Sequence, residues 1–453
     1  MQSRRDHVHA YRFSTHRLSS ALATGDPGTG EAPLRRADLG AAAGLAAGLL
    51  LVGGFALYGL ISPGGDTAWR RPGTIIVEKE TGNRYLLIGG VLRPTANLAS
   101  AQLGAGPGAK VRLVSRNSLD GVPHGAPVGT PDAPDTLPRP ADLLTGPWNL
   151  CLTPAAEDTV QADLAPRPGS PLDDGHRVLL TGPDGTAYVL WNSVKYPVAG
   201  RAALVALGLG NQSPVKAPAG WLAALPTGTP LAAAEIPGNG RPGPPVAGRP
   251  AEVGRLYRTG PADGRQHFVL RTDGLAPVSR TEFALLQADP GRPEATELGT
   301  AEIAAAPSSA DTGLLDRIPD LAAAPVWQGD RGRLCVRQRA TGGSTATTVV
   351  LRDTADTSGR AVLVPPGHGV YATELQPPGG DRRPRRYLIT DQGRKYPLAD
   401  DAAAGALGYG RATAQPVPPA VLDALPTGPL LAAAAGAPVP AAASAAPTGT
   451  GGQ

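Results

Sequence analysis

The chain has 453 residues, yet 60 glycines, 49 prolines and only 4% aromatics exclude one large continuous core. Alanine supplies much of the 41% apolar fraction, so short strands, many turns and several small cores are expected. The formal charge of +4 is carried almost wholly by arginine, and no basic run interleaves with aromatics, which removes nucleic-acid binding as a reading of the charge.

Residues 1–38 read as a basic amphipathic tail. The stretch "RRDHVHAYRFSTHRLSSALATG" puts Val8, Tyr11, Leu18 and Leu22 on one helical face with arginines elsewhere, a pattern suited to an anionic leaflet or a partner protein. His7, His9 and His16 lack metal-site spacing to any cysteine or carboxylate, and a solvated helix face is their reading. Leu39 to Ile61 is an uncharged run of 23 residues, the length of a membrane-spanning helix. A signal-peptide apolar core runs only ~7–15 residues. The alternative, a buried core helix, lacks an apolar enclosure elsewhere in the chain. Arg4, Arg5, Arg12, Arg17, Arg35 and Arg36 precede the span, which predicts a cytoplasmic N-terminus and an extracytoplasmic remainder, although Arg70 and Arg71 weaken the bias. Gly40, Gly44 and Gly48 form a strip on which another helix can pack; compositional drift in an Ala/Gly-rich chain is the competing account. Residues 62–75 read as a linker.

Four segments then share one order of features. They are "YLLIGGVLRP" (Tyr85 to Pro94), "YVLWNSVKYP" (Tyr188 to Pro197), "FVLRTDGLAP" (Phe268 to Pro277) and "YLITDQGRKYP" (Tyr387 to Pro397). Each runs from an aromatic through apolar residues and a turn to a proline, which predicts a hairpin of two short strands closed by a residue that cannot donate to a ladder. A short helix is expected after each. Ser279 with Glu282 forms a capping box, Asp400 is a cap, and Gly208 and Gly408 end their helices. Further on, "WLAALPTGTPL" (Trp221 to Leu231) matches "VLDALPTGPLL" (Val421 to Leu431), with "SLDGVPHGAPV" (Ser118 to Val128) as a looser relative.

The spacing suggests two related halves. Tyr85 and Phe268 lie 183 residues apart, the cysteines Cys151 and Cys335 lie 184 apart, and Tyr188 and Tyr387 lie 199 apart. The expected fold is therefore α+β: one N-terminal transmembrane helix, then an elongated extracytoplasmic region of four hairpin-plus-helix repeats around a β-rich, disulfide-bearing centre, with pseudo-two-fold halves. The boundaries read 76–135 for repeat 1, 136–180 for the first central part, 181–236 for repeat 2 and 237–250 for a Pro/Gly linker. Repeat 3 follows at 251–310, the second central part at 311–380, repeat 4 at 381–436 and a disordered tail at 437–453.

Cys151 and Cys335 sit in short apolar segments, "NLCLT" and "RLCVR", where a strand turns the flanking leucines or leucine and valine one way and the cysteine the other. At matched places in two external halves they read as one intrachain disulfide; two separate buried thiols are the alternative. Two cysteines make no zinc site. The sequence has no Gly-Lys dipeptide for a P-loop, no GxSxG elbow and no HExxH, and its acidic pairs, Asp173-Asp174 and Asp400-Asp401, fall at loop or cap positions. No catalytic residue, metal or cofactor is assigned.

The "YRF" of Tyr11 to Phe13 with Arg17, Leu18, Ala21 and Leu22, then one span, repeated hairpins and two external cysteines, resembles the EccB family. "NSLDGVPHGAPVGTPDAPD" (Asn117 to Asp135) resembles that family's segment after its first repeat. The family is a core membrane component of actinobacterial type VII (ESX) secretion. The resemblance implies a cytoplasmic N-terminus, an oligomer, assembly with EccC, EccD and EccE, and contact with the mycosin protease. The leading expectation is a structural membrane-anchored subunit. The alternatives are an extracytoplasmic ATP hydrolase, since members are sometimes labelled ATPases, and a cell-wall-binding anchor.

Overall fold

A computed structural model of the chain describes residues 4–25, 34–61, 67–153, 159–172, 175–260, 265–329, 332–352, 360–376 and 383–433. The acidic pair Asp173-Asp174 and the tail 437–453 lie outside these. The chain divides into two units, Met1–Trp69 with Ser115–Asp120, and Arg70–Val114 with Gly121–Gln453. The first carries α1 (Arg4–Thr24) and α2 (Leu34–Ile61). Val8, Tyr11, Leu18 and Leu22 of α1 are all exposed. In α2 the stretch Asp38–Tyr58 has a mean hydropathy of 1.9 and none of it is buried. The helix begins five residues before the uncharged run because Leu34, Arg35, Arg36 and Ala37 are all strong helix formers.

The second unit opens with β1 (Thr74–Glu78), β2 (Arg84–Ile88), β3 (Val91–Pro94), α3 (Leu98–Ala105) and β4 (Lys110–Val114). These form a four-stranded sheet ordered β3-β2-β1-β4, antiparallel but for the parallel β1–β4 pair. A single turn, α4 (Arg116–Leu119), belongs to the first unit. After β5 (Trp148–Leu152), β6 (Val160–Asp163) and β7 (Ser170–Pro171), the same arrangement returns. Its parts are β8 (Val178–Thr181), β9 (Ala187–Trp191), β10 (Val194–Pro197), α5 (Gly200–Ala206) and β11 (Val215–Lys216), followed by α6 (Ala219–Ala223). A two-stranded ladder, β12 (Pro242–Val246) with β13 (Arg249–Glu252), precedes the third instance. That instance comprises β14 (Leu256–Thr259), β15 (Gln266–Leu270), β16 (Leu275–Val278), α7 (Arg280–Gln287) and β17 (Thr296–Glu297), with α8 (Thr300–Ala305) and α9 (Gly313–Asp316) after it. Strands β18 (Arg333–Thr341), β19 (Ser344–Arg352) and β20 (Val362–Leu363) lead to the fourth. It contains β21 (Val370–Glu374), β22 (Arg386–Ile389), β23 (Lys395–Leu398), α10 (Asp401–Ala406) and β24 (Gln415–Val417), and α11 (Pro419–Asp423) closes the described chain.

Local chemistry accounts for the recurrence. Gly89 and Gly90, and Asn192 and Ser193, all have positive φ, the requirement of the two-residue hairpin turn whose twist matches its strands. Asn97, Ser279 and Asp400 each accept a backbone N–H at a helix start. At the ends of α5 and α10, Gly208 and Gly408 take positive φ while Leu209 and Tyr409 donate back to the carbonyls of Leu204 and Ala404. The expected capping box at Ser279 is only half formed. The Glu282 carboxylate is fully buried and turns away to Arg317, at 2.8 and 2.9 Å, because a buried charge needs a charged partner more than a cap needs a second bond.

Four expected boundaries move. The unit is a four-stranded sheet and not a hairpin plus helix, so β8 and β21 belong with the hairpins that follow them although β8 starts inside 136–180 and β21 lies inside 311–380. Likewise β1 starts inside the expected linker 62–75. The Pro/Gly stretch 237–250 holds β12 and the start of β13; each strand of a two-stranded ladder has a free edge, where a missing proline N–H breaks no bond.

Between the recurring sheets lies one six-stranded sheet ordered β20-β6-β5-β18-β19-β7. Strands from 148–171 and 333–363 meet at β5–β18, and each group sends its last strand to the far edge of the other: β7 pairs with β19, and β20 with β6. The largest core lies on one face, where Leu150, Leu152, Leu334, Val336 and Val349 meet α6, α11 and the inward faces of the β8–β9 and β21–β22 pairs. Those two sheets bury their opposite faces under α5 and α10. In turn α3 packs on α10, and α5 on α7.

Candidate functional site

The other face of the six-stranded sheet holds the cysteines. Cys151 and Cys335 stand directly opposite across β5 and β18, with Cα atoms 4.0 Å apart, and are joined by a disulfide. Both are essentially fully buried, against Val350. Around them the layer is polar. Arg333 donates to Gln161 Oε1 at 2.8 Å, Arg337 to Asn149 Oδ1 at 3.1 Å, and Arg352 to Asp163 Oδ2 at 3.1 Å. Burial, and then the charges of Arg352 and Arg339, lower the Arg337 pKa from its ordinary value. A groove of about 520 Å³ beside this layer has Asp163 as the one carboxylate among its lining residues, already tied to Arg352. Among the described residues no group of three His, Cys, Asp or Glu side chains is placed to hold a metal. These contacts join strands distant in sequence, and nothing in them pairs a nucleophile with a base.

The opposite face carries two matching clasps, built from residues of the twin stretches. Lys195 sends its ammonium to the carbonyls of Leu222 and Leu225, 2.8 Å each, at the C-terminal end of α6. Lys395 does the same for α11, reaching Leu422 O at 2.5 Å. A cation there satisfies carbonyls that helix geometry leaves unpaired and meets the negative end of the helix dipole. Burial pushes both lysines below their ordinary pKa, and at Lys395 Asp423 and Glu374 oppose that shift. The backbone of each lysine completes the bridge: Lys195 N donates to Pro226 O and Gly228 N donates to Lys195 O, with Pro426 and Gly428 repeating this at Lys395. Next in sequence, Tyr196 and Tyr396 lay their rings where a Cβ on Gly228 or Gly428 would sit, 2.2 and 2.4 Å from it. Lysine, tyrosine and the glycine of "LPTG" are thus parts of one contact. The clasped helices bear on the disulfide strands: Trp221 Nε1 donates to Leu150 O at 3.0 Å, and Gln338 Nε2 to Ala224 O at 2.8 Å.

Gly428→Ala should therefore lower stability by about 1–3 kcal/mol through overpacking against Tyr396. Gly220→Ala is the control, since its added Cβ meets nothing nearer than 3.8 Å and lies in a helix. Thermal melting of the two variants checks this, and equal melting points would remove the clasp as an account of the motif.

Sequence reasoning placed the cysteines on one side of their strands and the flanking Leu150, Leu152, Leu334 and Val336 on the other, as the structure does. It missed Lys195, Lys395, Tyr196, Tyr396, Gly228 and Gly428 as a working set. The available signal was spacing, because lysine and the leucine carbonyl it caps are 27 residues apart in both copies. In α2, a Cβ added to Gly40, Gly44 or Gly48 would meet no atom within 4 Å.

The family model described as "Type VII secretion system ESX-1, transport TM domain B" matches residues 1–439. The chain is 29% identical to the ESX-5 secretion system ATPase EccB5 of Mycobacterium marinum, over 95% of this chain and 92% of that protein. It is 28% identical to the ESX-3 secretion system ATPase EccB3 of Mycolicibacterium smegmatis, over 94% and 89%. Its fold is similar to a chain in the solved structure of an intact ESX-5 inner membrane complex, with a TM-score of 0.61 at 24% identity, covering 96% of this chain and 95% of that one. It is also similar to the solved EccB3 dimer from the ESX-3 core complex, with a TM-score of 0.58 at 25% identity, covering 79% and 98%.

Proposed function

The chain belongs to the EccB family of type VII (ESX) secretion membrane components, and from that premise we propose that it is a structural, membrane-anchored core subunit of a type VII secretion complex. The observation that carries the proposal is a family match running without interruption through the apolar helix and the folded region. On this reading α2 crosses the membrane once, residues 1–38 stay in the cytoplasm, and everything after the span lies outside. The four like-ordered sheets are repeats. The two groups of strands that exchange β7 and β20 across the central sheet are duplicated halves related by a pseudo-two-fold axis, which the matched helix pairs α3–α10 and α5–α7 support. The chain works as an oligomer, with EccC, EccD, EccE and a mycosin protease as its partners, and without a cofactor.

Two measurements test this. A reporter active only outside the cell should work when fused after Gly65 and stay silent when fused at Gln2, because the arginines before the span hold that end inside. Full-length protein drawn gently from membranes should bring other secretion subunits with it, and the subunit purified away from them should turn over no more ATP than a heat-denatured control. Signal from the Gln2 fusion would reverse the topology, and turnover by the pure subunit would make the hydrolase reading the better one.

A further inference from the structure

In the three later sheets the fourth strand is a stub. Strands β11 and β17 have two residues and β24 has three, and none of them exposes a large apolar side chain. The first sheet departs from this. Its fourth strand, β4, runs for five residues, Lys-Val-Arg-Leu-Val, and only Val114 is buried. Val111 and Leu113 stand 57% and 67% exposed. Outside α1 and α2, large apolar side chains are exposed at only five described positions, and these are two of them. They share one face. Val111 pairs with Ile75 and Leu113 with Val77, so both project on the side where Ile75 and Val77 pack with Ala101 and Ala105 of α3. That helix packs on β1 and β2, and its shelter stops short of β4.

Cations flank the pair. Residues 71–80 and 110–114 expose Arg71, Lys79, Lys110 and Arg112 against one exposed carboxylate, Glu80. Backbone bonds gather these segments at the edge: Lys110 N donates to Gly73 O at 3.0 Å and Lys79 N to Val114 O at 2.9 Å. Charge on an edge strand is a common guard against aggregation. A guard does not account for two exposed aliphatic side chains beside it, which invite the contact a guard prevents. Aliphatic and cationic side chains together suit an anionic bilayer surface. Such a surface is within reach, because Gly73 follows the end of the apolar helix α2 by twelve residues, a span of at most about 40 Å. We propose that β4 lies against the outer surface of the membrane that α2 crosses. Val111 and Leu113 enter the boundary between head groups and acyl chains, and Lys110 and Arg112 meet anionic head groups. The inference rests on the reading of α2 as a span with the folded region outside. The contact is shallow. Lys110 and Val114 direct their peptide groups to β1, so those of Val111 and Leu113 point outward and need the water and polar groups of an interface.

The test uses full-length protein in vesicles of mixed phosphatidylcholine and phosphatidylglycerol. Leu113→Cys carries a polarity-sensitive fluorophore, since the two native cysteines are bonded to each other. Lipid bearing a nitroxide near the head group should quench this label several-fold more than one at Val205→Cys, an exposed position on α5. Adding Lys110→Gln with Arg112→Gln should weaken the contact roughly thirtyfold and bring quenching down to the level at 205. The melting point should stay near that of the parent, because both side chains are exposed. Vesicles of phosphatidylcholine alone should have the same effect on the unaltered edge. Quenching at 113 no greater than at 205, or equal in charged and neutral vesicles, would overturn the proposal. So would a shift in emission without quenching, because protein and not lipid would then cover the edge. A label at Leu50→Cys within α2, read with a nitroxide deep among the acyl chains, separates the two readings. Loss of quenching at 113 alone removes this contact, whereas loss at both positions removes the span as well.

Discussion

Full-length protein with Cys151 and Cys335 both replaced by alanine should melt about 10 °C or more below the native chain. The bond closes a loop spanning 184 residues, and the chain-entropy account gives a loop of that length about 5 kcal/mol. Alanine is the right replacement, since a serine hydroxyl at these buried positions would add the cost of an unpaired polar group. The site of weakening should be specific. Strands β5 and β18 are where the two groups of three strands meet, so hydrogen exchange should rise first at Leu150, Leu152, Leu334 and Val336, and later inside the four-stranded sheets. An unchanged melting point, or exchange that rises evenly across the protein, would show that the seam holds without its bond.

That seam also explains why the clasps come in a pair. Each carries a lysine, half-buried at 195 and buried at 395, that fastens a short helix against the core face of the disulfide strands. A five-residue helix cannot hold itself together in water, so α6 and α11 depend on those caps and on packing. The polar layer and disulfide secure one face of the central sheet, and the two clasps secure the other.

What could be read beforehand follows the range of the interaction. Turns and caps are local, so Gly89-Gly90, Asn192-Ser193, Asp400, Gly208 and Gly408 announced themselves in a few residues. The strand before each hairpin did not: β8 and β21 are four or five residues long and owe their pairing to chain beyond a turn. Parallel strands such as β11 and β17, two residues each, carry no periodicity at all. Proline misled at 237–250 because composition does not say whether a strand has a free edge. The clasp stayed hidden for a related reason. A lysine at or next to the start of a strand reads as solvent-facing, and only the fold brings the last carbonyls of α6 or α11 to it.

Replacing Gly44 and Gly48 together by leucine should leave the protein in the membrane and cut its recovery in complexes by roughly tenfold or more. Insertion should not suffer, since leucine makes the span more apolar. Nor should the chain's own fold, because an added Cβ at either position meets no atom within 4 Å. A defect confined to assembly would then have one source, a second helix that approaches the glycine strip closely. Opposite Gly44 on the helix lies Gly53, nine residues on and half a turn round, so Gly53→Leu is the matched control for bulk and hydropathy. Glycine lets helix backbones approach within van der Waals range, and in a bilayer that packing replaces the hydrophobic drive that water would supply. If the double variant assembles as well as the control, the strip is drift in an Ala/Gly-rich sequence, and partner recognition has to lie in the tail or in the folded region instead.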